Sequence, residues 1–409
     1  MSSEHQFKHQ IQCPIIKFID ELNHQQLTGF NNPFHKFVRY YKKRSKNFYK
    51  ENINREEMYI RYIKKLFDLH FAATNYVEAG LTLQLYAQLL QWRDNIKQEE
   101  LGFHAETEWE RKENLYLKVL DCFDKGKVWE YGIPLCKELA AFYEERLEYR
   151  KLSGILTKQA SFFTNILDGV AVEDEEGKIQ YYPRQPPSYY RVAYYGKSFP
   201  PFVRNKSFIY RGSECLMLQD IINQLTQEFP NAIILKTNNP VEDSKRDGDE
   251  QCILYYVVDQ SIFLSYTTVI QICSIKPIPP HRKDLENPTI QHEIKSFYNY
   301  NDVDTFQFDR SYHRGTKDKE NEFKTLCTER TIMKTQYKFP GILQWYEVIS
   351  IEVKLLTPIE TAIQAVKSAY EEIQLNTQTC NINPTYANIQ HLSMLLTGMI
   401  AATVQGGIP

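Results

Sequence analysis

The hydrophobic period of this 409-residue chain changes twice, and each change marks a different kind of folding unit. From Phe48 to about Ala160, apolar residues recur at three and four. They run through Tyr59, Tyr62/Ile63, Leu66 and Leu69/His70, then residues 76–90, then Leu115, Val119/Leu120 and Phe123, then residues 128–143. Such spacing puts one apolar stripe on each of several helices. Beyond them, residues 191–195, 206–210, 252–258 and 262–266 are short β-branched and aromatic runs bounded by Gly, Pro and Asn, which predicts strands. Gln307-Phe308 and residues 333–337 add further strands. Long helices do not alternate with these runs, so an antiparallel sheet is expected rather than a doubly wound one. The helical period returns at Leu356-Thr-Pro-Ile-Glu360. There Thr357 is the N-cap, Pro358 the first helical residue and Glu360 the closing member of a capping box. Ile359, Ala362/Ile363, Val366, Tyr370 and Ile373 then share one face.

The fold class that follows is α+β with several lobes. A basic leader covers 1–46, a helical-repeat-like lobe 47–188, a central antiparallel β-sheet lobe 189–355, and the start of an incomplete helical bundle 356–409. Val77-Glu-Ala-Gly80 and Trp129-Glu-Tyr-Gly132 occupy similar places in their helices, a hint of repeated helix pairs whose small residues let backbones approach. This layer is expected to bind protein. Glu173-Asp-Glu-Glu-Gly177 and Pro183-Arg-Gln-Pro-Pro187 read as a surface loop and boundary. Residues 238–248 and 276–281 read as connections.

The end of the sequence carries a distinct device. An amphipathic helix from His391 runs into Val404, and Gln405-Gly406-Gly407 cannot propagate it. A small, uncharged side chain is thereby presented at a helix break on flexible backbone.

Composition excludes several classes of function. With 49 basic and 51 acidic residues, the net charge of −2 lacks the basic excess of a nucleic-acid binder. No apolar run approaches the ~20 residues that span a bilayer. Eight scattered cysteines form no CxxC pair, so zinc and redox motifs are unsupported and a reducing, cytoplasmic compartment is the natural one. The sequence has no phosphate-cradling glycine loop, HExxH or nucleophile elbow. His70, on an apolar face, reads as a satisfied core histidine, and His313 as a turn residue rather than a general base. No metal ligands and no cofactor are expected. The abundance of 28 Tyr and 23 Phe suits interfaces as well as cores. Residues 35–46, basic with interleaved aromatics, read as a solvated face or, alternatively, as a weak contact with acidic membrane surface.

Many separate stretches, in order over residues 47–409, resemble the catalytic DOCK homology region 2 (the DOCKER domain) of the DOCK guanine-nucleotide exchange factors, nearest the Rac-acting members. They include Arg55-Glu-Glu-Met-Tyr-Ile-Arg-Tyr62, Phe123-Asp-Lys-Gly-Lys-Val-Trp-Glu130, Arg204-Asn-Lys-Ser-Phe-Ile-Tyr-Arg-Gly212, Lys338-Phe-Pro-Gly-Ile-Leu-Gln-Trp345, Leu356-Thr-Pro-Ile-Glu360 and Leu392-Ser-Met-Leu-Leu396. The resemblance implies exchange on a Rho-family, Rac-like GTPase without covalent chemistry. It implies a homodimer formed through the helical lobe, and a cytoplasmic protein recruited to the plasma membrane. It also implies that Val404 is the nucleotide sensor that displaces Mg²⁺, with Gly406 and Gly407 at the break. Leu356, Thr357, Pro358 and Thr397 would lie at the GTPase-contacting groove, although Thr397 stands where the family often has Asn. Residues 168–188 are longer and more polar than the family's usual connection, and the loops around 236–251 and 275–290 diverge. The family continues with further helices past the position of Pro409, so a truncated, non-catalytic scaffold that docks a GTPase is the alternative expectation.

Overall fold

The computed structural model describes residues 55–397 other than 100–102, 174–178, 183, 198, 200–202, 213–217, 230–231, 237–251, 256–269, 286, 288–289, 317–324, 383–391 and 395. Five helices come first: α1 (Arg55–Ala72), α2 (Tyr76–Ala87), α3 (Glu108–Lys125), α4 (Trp129–Glu145) and α5 (Tyr149–Asp168). Two short strands, β1 (Ile96–Lys97) and β2 (Glu106–Thr107), pair between α2 and α3. The periodic residues of the sequence are the core of this layer: Ile63, Leu83, Leu115, Val119, Phe123, Trp129, Leu139 and Phe162 are all buried. α3 starts on a capping box, with the Thr107 N–H donating to Glu110 Oε2 at 2.8 Å and the Glu110 N–H to Thr107 Oγ1 at 3.3 Å. Gly126 ends it.

The two similar glycines have similar work. A Cβ on Gly80 would stand 2.6 Å from the Phe123 ring, and one on Gly132 would stand 2.4 Å from the Phe162 ring. α2 thus rests against α3, and α4 against α5, each by way of one glycine and one phenylalanine. The repeated helix pair read from the sequence is present.

A hairpin of β3 (Val170–Glu173) and β4 (Ile179–Tyr182) follows where only a surface loop was expected. The main sheet then comprises β5 (Tyr189–Tyr194), β6 (Lys206–Arg211), β9 (Ile270–Ser274), β10 (Lys276–Ile278), β11 (Val303–His313), β12 (Leu326–Phe339) and β13 (Trp345–Leu356). Its order is β10-β11-β12-β13-β6-β5-β9, antiparallel throughout. A separate parallel pair joins β7 (Ile233–Lys236) to β8 (Cys252–Tyr255). Residues 276–278, expected to be a connection, form a strand. As β10 they lie at the margin of the sheet, pairing among the described residues with β11 alone, where a residue without an N–H is tolerated. The predicted strands at 256–258 and 262–266, the loop at 238–248 and the leader 1–46 lie outside the described residues.

Two short helices went unread: α6 (Leu218–Glu228) and α7 (His292–Tyr300). α6 covers one face of the sheet, against Val192, Tyr194 and Phe208, while Tyr189, Ile209, Phe306, Met333 and Tyr346 fill the other. Successive side chains of a strand point to opposite faces. β5 therefore feeds both cores and is buried along its whole length. α8 (Pro358–Ile382) leaves the end of β13.

Candidate functional site

The corner between β13 and α8 is built as its residues dictate. Leu356 closes β13 opposite Thr328. Thr357 then leaves the strand and caps the helix: its N–H and its hydroxyl each donate to Glu360 Oε2 at 2.8 Å, and its oxygen accepts from the Glu360 N–H at 3.3 Å. These bonds from the Thr357 backbone and hydroxyl hold the Glu360 carboxyl below its ordinary range. Pro358, with no N–H to leave unsatisfied, takes the first helical position. The chain therefore changes direction at a rigid corner.

An apolar strip that sequence reasoning missed lies immediately before this corner. Ile349, Ile351, Val353 and Leu355 alternate along β13 and are 61%, 55%, 53% and 64% exposed. Facing residues in a ladder share one side of a sheet. Ile351 opposes Met333, which opposes Phe306, and both of those are fully buried. Val353 opposes Thr331 and Leu355 opposes Glu329. The strip is thus the core face of the sheet running past the end of its cover. On the opposite face, Arg330 forks onto Asp309 at 2.8 and 2.7 Å and donates to Gln364 of α8 at 2.8 Å. α8 accordingly touches the other side of the sheet. Ile349-Ser-Ile-Glu-Val-Lys-Leu355 alternates strictly, and that signal could have identified both the strand and its apolar side.

α8 carries a second open strip, Ile359, Ile363, Val366 and Tyr370, each more than half exposed. It is the face read from the sequence. Thr397, exposed on a helical turn, donates its hydroxyl to Ser393 O at 2.8 Å, so its remaining capacity toward a partner is as an acceptor. Leu356, Thr357 and Pro358 are brought together at the corner. Val404, Gly406 and Gly407 lie outside the described residues.

Neither histidine singled out in the sequence belongs to this corner. Nε2 of buried His70 lies 2.9 Å from Ile342 O, and burial lowers its pKa, as expected of a satisfied core imidazole. His313 ends β11 rather than sitting in a turn, with Nδ1 3.1 Å from Thr325 Oγ1.

A paired-helix layer joined to a curled antiparallel sheet, with a capped helix leaving the sheet's apolar end, defines an α+β fold of several lobes. The chain matches the family descriptions "DHR-2, Lobe A" over residues 93–168 and "DHR-2, Lobe B" over residues 238–338. It is 40% identical over 362 residues to Dedicator of cytokinesis protein 3 of Homo sapiens, covering 88% of this chain and 16% of that protein. It is 39% identical over 363 residues to human Dedicator of cytokinesis protein 4, with 88% and 17% covered. Against DOCK-like protein 1 of Saccharomyces cerevisiae it is 23% identical over 368 residues, with 87% and 17% covered. The chain belongs to the dedicator-of-cytokinesis family and carries its DHR-2 region. It spans about a sixth of the length of the relatives it matches.

Proposed function

We propose that this region is a guanine-nucleotide exchange factor for a Rho-family, Rac-like small GTPase, seated against the open strip of β13 and the Leu356-Thr357-Pro358 corner. The observation that carries this reading is the strip itself. Four large aliphatic side chains stand more than half exposed at the end of a sheet, beside a rigid corner, and exposed contiguous apolar surface marks a protein partner. Membership of the dedicator-of-cytokinesis family supports the partner's identity.

The reaction makes and breaks no covalent bond. A GTPase holds GDP partly through Mg²⁺ on the phosphate oxygens. An isopropyl group from Val404 put in the ion's place leaves phosphate charge uncompensated, and the nucleotide departs. By reciprocity, incoming nucleotide loosens the exchange factor. A 10⁴-fold weakening of nucleotide requires about 5.5 kcal/mol of differential binding, more than one valine supplies. The strip and the corner contribute the remainder. Release of fluorescent GDP from Rac should slow at least tenfold with Val404→Asp, since a carboxylate near phosphate is repelled. Equal rates for the two proteins would remove Val404 from the mechanism. Capture of nucleotide-free Rac without faster release would select the docking scaffold instead.

Self-association through the helical layer belongs to the same proposal. Tyr149, Leu156, Phe163 and Leu167 lie along one exposed face of α5, 41–64% open, while Ile155, Phe162 and Ile166 are buried. A second copy covering that stripe forms a symmetric dimer. Leu156→Glu with Phe163→Glu should raise the dimer dissociation constant at least tenfold in sedimentation equilibrium. An unchanged constant would assign the dimer to another surface. A cytoplasmic protein, drawn to acidic membrane by residues 35–46, completes the reading.

A further inference from the structure

The seam between the helical layer and the sheet is fastened by buried polar groups that the exchange mechanism does not use. Arg211, the last residue of β6, places Nη1 3.0 Å from Glu78 Oε1 in the first turn of α2, with the two side chains only 8% and 3% exposed. The backbone N–H of Arg211 donates to Gln344 O at 2.7 Å, fixing where the side chain starts. Around this pair, the Tyr131 hydroxyl of α4 donates to Asp302 Oδ1 at 3.1 Å, and His70 of α1 meets Ile342 O. Arg184, in the segment joining the layers, forks onto Glu130 at 2.7 Å twice and donates to Lys127 O at 2.8 Å.

As a source of stability the central pair is poorly chosen. Two charges leave water for one Nη1–Oε1 hydrogen bond between them, beside the buried Tyr189 hydroxyl that Arg211 also meets, and Arg211 Nε finds no acceptor among the described residues. Apolar residues of similar volume in place of such a pair are often neutral or stabilising. What the pair supplies is direction. Apolar side chains can slide over one another, whereas these bonds are all made at one relative angle of the two layers.

We propose that Glu78 and Arg211 are positioning residues that set the angle between the helical layer and the sheet, and with it the bearing of the β13 strip. The angle is a property of the chain by itself, so the proposal stands apart from exchange activity. The test compares the full chain with the double variant Glu78→Leu/Arg211→Met and with Glu78→Gln. Bio-orthogonal spin labels at exposed Lys118 of α3 and Lys338 of β12 report the distance between layers. The double variant should keep its melting temperature while its distance distribution widens at least twofold. Glu78→Gln, whose amide oxygen still accepts from Arg211, should melt lower yet keep the narrow distribution. A double variant that melts normally with an unwidened distribution overturns the proposal. So does one that fails to fold, because the pair would then be a stability element.

Discussion

Replacing Ile351 and Val353 together with aspartate is expected to slow GDP release from Rac at least a hundredfold while lowering the melting temperature by no more than about 5 °C. The small stability cost follows from exposure. Both side chains are already more than half open, so few apolar contacts are lost, and aspartate's poor strand propensity costs about 1 kcal/mol at most per site. The large functional cost follows from the proposed complex. Two carboxylates would be carried into an apolar interface with no cation to meet them, and even partly relieved burial of that kind costs several kcal/mol. A hundredfold loss needs only about 2.7 kcal/mol. Lys354 and Glu352 point to the other side of the strand. Their replacement by alanine is the control that should leave exchange within about threefold. If the double aspartate variant exchanges at the parental rate, the GTPase sits elsewhere.

The second large effect concerns stability. Glu78→Ala should reduce the free energy of unfolding by about 3–5 kcal/mol, the usual loss when one member of a buried ion pair is removed. Arg211 has no escape from the resulting isolation. A guanidinium does not give up its proton in a protein, whereas a lysine in that place could neutralise itself. Its Nη1 would lose the Glu78 carboxylate in a site almost closed to solvent. Urea titration monitored by the buried Trp129 and its neighbours measures the change. A loss below about 1 kcal/mol would mean that the seam opens enough for water to solvate the guanidinium.

Much of this molecule could be read before its structure was known, for physical reasons that differ by region. The helical layer was legible because each helix buries one stripe and leaves the rest wet, so Leu115, Val119 and Phe123 announce themselves. The Thr357–Glu360 cap was legible because a capping box is a local contract among four residues. β11 and β12 were found only as fragments, since their alternation is broken where their outer ends lose cover. The hairpin at 170–182 was hidden by its polar connection. β10 was hidden by a proline that only a marginal position tolerates. The strip on β13 was present as strict alternation, yet alternation gives no sign of whether the apolar side is covered. That depends on where α7 and the partner strands stop. The Glu78–Arg211 pair was beyond local reading altogether, because 133 positions separate its members and nothing near either one marks it as buried. Leu356, Thr357 and Pro358 do meet at the corner between β13 and α8, while their contact with a GTPase belongs to the proposal. The strip that gives the corner its meaning had to come from the register of three strands.

The glycines of the helical layer bear on how a dimer and a GTPase could influence each other. With Phe123 pressed against Gly80 and Phe162 against Gly132, α2 cannot creep along α3, nor α4 along α5, without driving backbone into an aromatic ring. Each of these two helix pairs therefore resists sliding as a unit. A torque applied at α5 by the proposed second copy would find little slippage within either pair. It would reach the seam that Glu78 and Arg211 span.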